Sequence, residues 1–136
     1  LLSEVDQSIL IKFNYNKEDL LIKCDREQIS RVFFNLIKNS IESIQEKIQK
    51  NGDFTKIIDI EIIDKNDYIT LNITDNGTGF SKDIIKNITK PYFTTKSKGS
   101  GLGLSIVNKI INDHNGSIKF NSNKNDAKVE IILPKN

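Results

Sequence analysis

The run Lys98-Gly99-Ser100-Gly101-Leu102-Gly103-Leu104-Ser105-Ile106-Val107 constrains this chain more than any other, because three alternate glycines lead straight into an apolar segment with helical spacing. Alternate glycines permit positive φ angles and close approach of backbone to a ligand. The first turn of the following helix adds unpaired N–H groups at the positive end of its dipole. The pattern predicts a loop that receives an anion such as phosphate. It is not a Walker loop, which needs Gly-Lys followed by Ser or Thr. Nor is it the dinucleotide fingerprint, which needs a strand directly before the glycines and an acidic residue about 20 positions later. Here Phe93-Thr94-Thr95-Lys96-Ser97 precedes the glycines. Taken alone, the triplet reads equally well as a flexible surface linker.

The rest of the chain supplies context. Its 136 residues suit a single domain spanning 1–136 with a core that needs no disulfide or metal. A net charge of +2, with Lys and Arg scattered among Asp and Glu, predicts a solvated surface and no nucleic-acid partner. The single cysteine, Cys24, excludes an internal disulfide and suits a reducing compartment. No stretch reaches the ~20 apolar residues of a membrane span, and no signal peptide opens the chain. Because methionine is absent throughout, the chain is expected to be part of a longer protein, with residues 1–6 the tail of a linker or preceding helix.

Alternation and β-branched content predict strands at residues 9–13, 20–24, 56–64, 68–74, 117–122 and 128–133. Asp25, with Gln28 three residues later, predicts an N-cap and capping box. The helix that follows, over residues 26–49, places Ile29, Val32, Phe33, Leu36, Ile37, Ile41, Ile44 and Ile48 on one stripe, and Asn51-Gly52 closes it. A short helix is expected from Ser81 to about residue 87. Another is expected from Leu102 to Asn115-Gly116, a pair suited to a left-handed cap. Strands grouped against helices without regular βαβ alternation predict an α/β two-layer sandwich, a mixed and mostly antiparallel sheet with three helices on one face.

Asn35 and Asn39 stand at i and i+4 beside the apolar stripe, so their amides project from one side of the helix. Amide oxygens are neutral, hard ligands that can complete the shell of a Mg2+ ion also holding waters and phosphates; the plainer reading is two polar residues on an exposed face. Asp75 follows a buried strand and precedes two glycines. That arrangement can seat a carboxylate on a pocket floor, where it accepts a hydrogen bond from an exocyclic amine such as adenine's. The plainer reading there is an Asx turn with Asn76-Gly77.

Four stretches carry a resemblance: Asn35-Leu36-Ile37-Lys38-Asn39-Ser40, Asp75-Asn76-Gly77-Thr78-Gly79-Phe80, Pro91-Tyr92-Phe93-Thr94-Thr95-Lys96 and Gly99-Ser100-Gly101-Leu102-Gly103-Leu104. In that order they resemble the N, G1, F and G2 boxes of sensor histidine kinases. The resemblance covers nearly the whole chain, and residues 91–116 are especially similar to nitrogen-regulation kinases of the NtrY and NtrB kind. It implies the Bergerat ATP-binding fold, the catalytic domain that phosphorylates a histidine on a neighbouring helical dimerisation domain for relay to a response regulator receiver domain.

The resemblance further implies ATP and Mg2+ as cofactors. It makes Asn39, helped by Asn35, the metal-binding and catalytic pair, and Asp75 the reader of the adenine amino group. Gly77 and Gly79 then let the backbone pass close to the base. Gly101, Leu102 and Gly103 present N–H groups to the phosphates, with Thr95, Lys98, Gly99 and Leu104 completing the nucleotide set. Phe93 couples the nucleotide lid to the helical domain. The implied location is cytoplasmic, in a protein whose full length is open to anchoring in the inner membrane.

Some relatives carry a basic residue where this chain has Glu42, which leaves Lys38, Lys96 and Lys98 as candidates for the phosphate-neutralising cation. Chaperone, gyrase and mismatch-repair ATPases of the same fold use a glutamate at the position resembling Asn35. An amide cannot act as a general base, so slow hydrolysis and phosphoryl transfer are expected instead. The only histidine, His114, is expected to be structural, at a helix C-terminus where positive charge is favourable. Two rival readings remain open: a catalytically silent nucleotide-binding regulatory module, and an anti-sigma-type serine kinase.

Overall fold

The strands form where β-branched and aromatic residues are frequent. In the computed structural model, which describes residues 8–16, 22–79, 103–122 and 126–135, they are β1 (Leu10–Tyr15), β2 (Ile57–Asp64), β3 (Tyr68–Asp75), β4 (Ser117–Ser122) and β5 (Ala127–Pro134). They form one sheet in the order β1-β2-β3-β5-β4. β1 runs parallel to β2 and the other pairs are antiparallel, so the sheet is mixed and mostly antiparallel as expected.

The register puts Ile60 opposite Ile73, Leu71 opposite Ile131 and Ile73 opposite Val129, all buried on one face. The other face carries a polar row across all five strands, Asn14, Glu61, Asn72, Glu130 and Lys119, in which Asn72 Nδ2 donates to Glu61 Oε1 at 3.2 Å. This period-two division makes the sheet a one-sided layer that must be covered by helices.

Helix α1 (Arg26–Asn51) covers the apolar face with the stripe read from sequence: every one of its eight predicted residues lies in or against the core. Asp25 is the N-cap, its Oδ1 accepting the Gln28 N–H at 3.1 Å. The capping box is only half made, because the Asp25 N–H donates instead to His114 Nε2 at 3.0 Å. Gly52 ends the helix at φ 80°, a left-handed value, with its N–H bonded to the Ile48 carbonyl.

Helix α2 (Gly103–Asp113) packs beside α1, burying Val107, Ile110 and Ile111. It stops in a Schellman turn: Gly116 N–H bonds the Ile111 carbonyl, Asn115 N–H bonds that of Asn112, and Asn115 takes φ 60°. Burial of each large side chain such as Ile44, Ile58 or Ile111 contributes roughly 1.5–3 kcal/mol.

One expectation changes. The described part of the strand predicted at residues 20–24 is not a strand: Ile22 packs against the core, and Lys23 makes one bond to the Lys135 carbonyl at 3.4 Å without a ladder. A short apolar run there leads the chain into α1. Two helices are present among the described residues, and the third, predicted from Ser81, lies outside them. His114 is structural, as expected, at the C-terminal end of α2. Nε2 accepts the Asp25 N–H, and Nδ1 lies 2.8 Å from the Ile110 carbonyl, so the ring ties the start of α1 to the end of α2.

A Cβ at Gly116 would fall on the Ile132 carbonyl oxygen, 2.9 Å from Leu133 Cδ2 and 3.1 Å from Ile111 Cγ2. Gly116→Ala is therefore expected to lower the unfolding free energy by about 1–3 kcal/mol, read as a lower urea midpoint at unchanged slope. Asn115→Gly, which relieves the left-handed residue, is expected to be neutral or to stabilise by up to about 1 kcal/mol. Equal midpoints for Gly116→Ala and the parent would contradict the packing of this turn on β5.

Candidate functional site

Along one side of α1 run four polar residues at four-residue spacing, Asn35, Asn39, Ser43 and Lys47, each half-buried beside the apolar stripe. The start of α2 and the loop after β3 meet this row at different heights. At Asn35 it meets the first residue of α2: a Cβ on Gly103 would stand 3.7 Å from Asn35 Oδ1. An amide oxygen thus lies beside a helix N-terminus, where unpaired N–H groups and the helix dipole favour an anion.

At Ser43 and Lys47 the row meets the loop after β3. Ser43 Oγ accepts the Thr78 N–H at 3.0 Å and lies 3.2 Å from Thr78 Oγ1. Lys47 Nζ donates to the Asn76 carbonyl at 2.9 Å and sits 4.8 Å from the centre of the Phe54 ring. Asn39 stands between the two meeting points.

Asp75 is the last residue of β3 and is 5% exposed, flanked by Ile58 on β2 and Ala127 on β5. Its Oδ1 accepts the Gly77 N–H at 2.9 Å. The Asx turn and the buried carboxylate, alternatives in the sequence, therefore coexist. The turn hydrogen bond offsets part of the cost of burying the charge and fixes how the carboxylate is aimed.

Asn76 extends the β2–β3 ladder by one residue. Its N–H bonds the Ile57 carbonyl at 3.2 Å, its Oδ1 accepts the Ile57 N–H at 2.9 Å, and its Nδ2 donates to the Thr55 carbonyl. Gly77 is a packing requirement: a Cβ there would collide with Ser43 Oγ and stand 2.7 Å from the Ser43 carbonyl carbon and 2.8 Å from the Ile44 nitrogen. Gly79 takes φ 77°, a value that favours glycine.

Of the residues singled out from sequence, Asn35, Asn39, Asp75, Gly77, Gly79, Gly103 and Leu104 are described; Gly103 lies near Asn35, and Gly77 lies against Ser43 and Ile44 of α1. Leu104 sends its side chain against the core. Lys38 is exposed on α1. Phe93, Thr95, Lys96, Lys98, Gly99, Gly101 and Leu102 lie outside the described residues. Ser43 and Lys47 were not anticipated, although continuing the four-residue series from Asn35 and Asn39 leads directly to them.

Among the described residues, no group of three or more His, Cys, Asp or Glu could hold a metal ion. The side-chain oxygen that faces the start of α2 is the neutral amide oxygen of Asn35. Among the described residues, no helix is long and apolar enough to cross a membrane.

The model of the family described as histidine kinase-, DNA gyrase B- and HSP90-like ATPases matches residues 24–136. A sensor histidine kinase NtrY-like protein of Rickettsia conorii is 41% identical over 112 residues, covering 82% of this chain and 18% of its own length, so the chain spans under a fifth of that relative. The catalytic domain of histidine kinase ThkA, solved in a nucleotide-free form, superposes with a TM-score of 0.81 at 32% identity, covering 94% of this chain and 80% of that one. ThkA solved in complex with the response regulator protein TrrA superposes with a TM-score of 0.72 at 30% identity, covering 93% of this chain and 34% of that one. With its one-sided mixed sheet, its α2 N-terminus against Asn35 and its buried Asp75, the chain belongs to the histidine kinase-, DNA gyrase B- and HSP90-like ATPase family, as an ATPase domain of the histidine kinase kind.

Proposed function

We propose that this domain binds Mg-ATP and transfers its γ-phosphoryl group to a histidine on a separate helical dimerisation domain, for relay to an aspartate of a response regulator. The observation that carries the reading is the approach of Asn35 Oδ1 to Gly103 at the start of α2, which would set a neutral metal donor beside a helix end suited to phosphate. The likeness to ThkA, solved with its response regulator TrrA, supports the relay.

In this reading the buried Asp75 carboxylate accepts a hydrogen bond from the adenine amino group, while Gly77 holds its Oδ1 in place. The first N–H groups of α2 receive the phosphates, and Gly99, Gly101 and Leu102 extend that cradle together with Thr95 and Lys98. Asn39 and Asn35 would hold a Mg2+ ion, which would supply neutralisation of the phosphate charge. The acceptor imidazole nitrogen forms a bond to the γ-phosphorus as the bond to the bridging oxygen breaks, and ADP leaves. Asn35 lacks the basicity to activate water, which favours transfer over hydrolysis. Phe93 couples the nucleotide lid to the helical domain.

Supplying a helical domain with its acceptor histidine, together with ATP labelled on the γ-phosphate, tests the whole scheme. Label on that histidine is expected. Binding without transfer would favour a silent regulatory module, and label on serine a serine kinase.

Asn39→Ala is expected to abolish transfer while the urea midpoint stays near that of the parent, because the residue is only half-buried on the helix flank. Transfer kinetics equal to the parent's would overturn the metal assignment.

Asp75→Asn is expected to weaken ATP by about 10- to 150-fold by calorimetry, the equivalent of losing a charge-assisted hydrogen bond of ~1.5–3 kcal/mol. GTP, with a carbonyl where adenine has its amine, is expected to bind the parent poorly. Comparable affinities for the two nucleotides would exclude Asp75 as the base reader.

A further inference from the structure

We propose that Ser43 and Lys47 are positioning residues for nucleotide recognition: by tying the loop after β3 to α1, they set the depth and aim of the Asp75 carboxylate. The proposal rests on Asp75 being the base reader, as argued above. Neither side chain has a role in holding nucleotide or metal in that scheme.

The argument is geometric. The Gly77 N–H donates to Asp75 Oδ1 at 2.9 Å. Both neighbours of Gly77 are tied to one helix: the Asn76 carbonyl accepts from Lys47 Nζ at 2.9 Å, and the Thr78 N–H donates to Ser43 Oγ at 3.0 Å. Gly77 itself lies so close to Ser43 that a Cβ has no room. The loop is thus clamped on both sides of the residue that aims the carboxylate, and the clamp leaves no slack.

The same helix carries Asn35 and Asn39 towards α2. Ser43 lies eight residues beyond Asn35, a rise of about 12 Å along the axis at 1.5 Å per residue. One rigid element therefore registers the base-reading end of the pocket against the phosphate end. A tether serving stability alone could have used any contact along the loop. These two bracket the peptide whose N–H bonds Asp75.

The test uses the 136-residue chain and reads two quantities, amide hydrogen exchange at Gly77 without nucleotide and ATP affinity by calorimetry. Ser43→Ala is expected to speed exchange at Gly77 about tenfold or more. It is also expected to raise the ATP Kd about fivefold, the loss of roughly one hydrogen bond. In an Asp75→Asn background the same substitution is expected to change ATP affinity less than about twofold, because its effect runs through the carboxylate. Lys47→Met, made at the rim of the loop, is expected to act in the same direction with a smaller amplitude, and it replaces Ser43→Ala should that variant not fold.

Unchanged exchange at Gly77, or an ATP loss that persists undiminished in the Asp75→Asn background, overturns the positioning role. If Asp75→Asn by itself leaves ATP affinity unchanged, the base-reading assignment falls instead. Exchange at Gly77 then decides the rest: acceleration in Ser43→Ala retains the tether on Asp75, and no acceleration removes it.

Discussion

The closeness of the loop after β3 to α1 is the constraint on which the site depends, and it is set by a missing side chain. Gly77 lies where any Cβ would strike Ser43 and the backbone of Ile44. Because that space is backbone-sized, the Thr78 N–H reaches Ser43 Oγ and the Asn76 carbonyl reaches Lys47. Close approach also returns the Gly77 N–H to Asp75, satisfying part of the carboxylate at a strand end that is otherwise apolar on both flanks. A buried charge without such a donor would cost several kcal/mol.

The one-sided sheet explains why α1 can serve this purpose. The apolar face of β2, β3 and β5 demands a helix lying along it, and the eight-residue stripe of α1 meets that demand. Residues just off the stripe are neither fully buried nor fully wet. Polar side chains at that flank can reach neighbouring loops without a large desolvation cost, and Asn35, Asn39, Ser43 and Lys47 occupy it. Core packing and the site thus share one helix, each using a different side of it. His114 joins the far ends of α1 and α2 through its ring, so the two helices that bear site residues are bonded to each other at the opposite pole.

Much of this was legible in the residues. The α1 stripe, the Asp25 cap, Asn51-Gly52, the hairpin strands and the apolar positions of α2 are local patterns, governed by periods of 3.6 and 2 and by capping chemistry. They appear in the structure within a residue or two. The strand expected at residues 20–24 failed in its described part because an apolar run carries no information about whether a sheet edge is available to pair with it. The reciprocal half of the capping box failed for a related reason: His114, 89 positions away, took the donor first.

The sequence by itself determined which groups could do chemistry here: two amides four residues apart, a carboxylate at a strand end, and glycines leading into a helix. Their residue types and spacings are local properties, and the resemblance they carry led to the family. Only the tertiary structure decided that Gly77 is needed for contact with α1, that Asn76 completes a strand ladder, and that Ser43 and Lys47 hold the loop. Each of those facts depends on which distant segments touch. Ser43 and Thr78 are 35 residues apart and Lys47 and Asn76 are 29, and such contacts form only when the whole apolar face of the sheet is buried under α1.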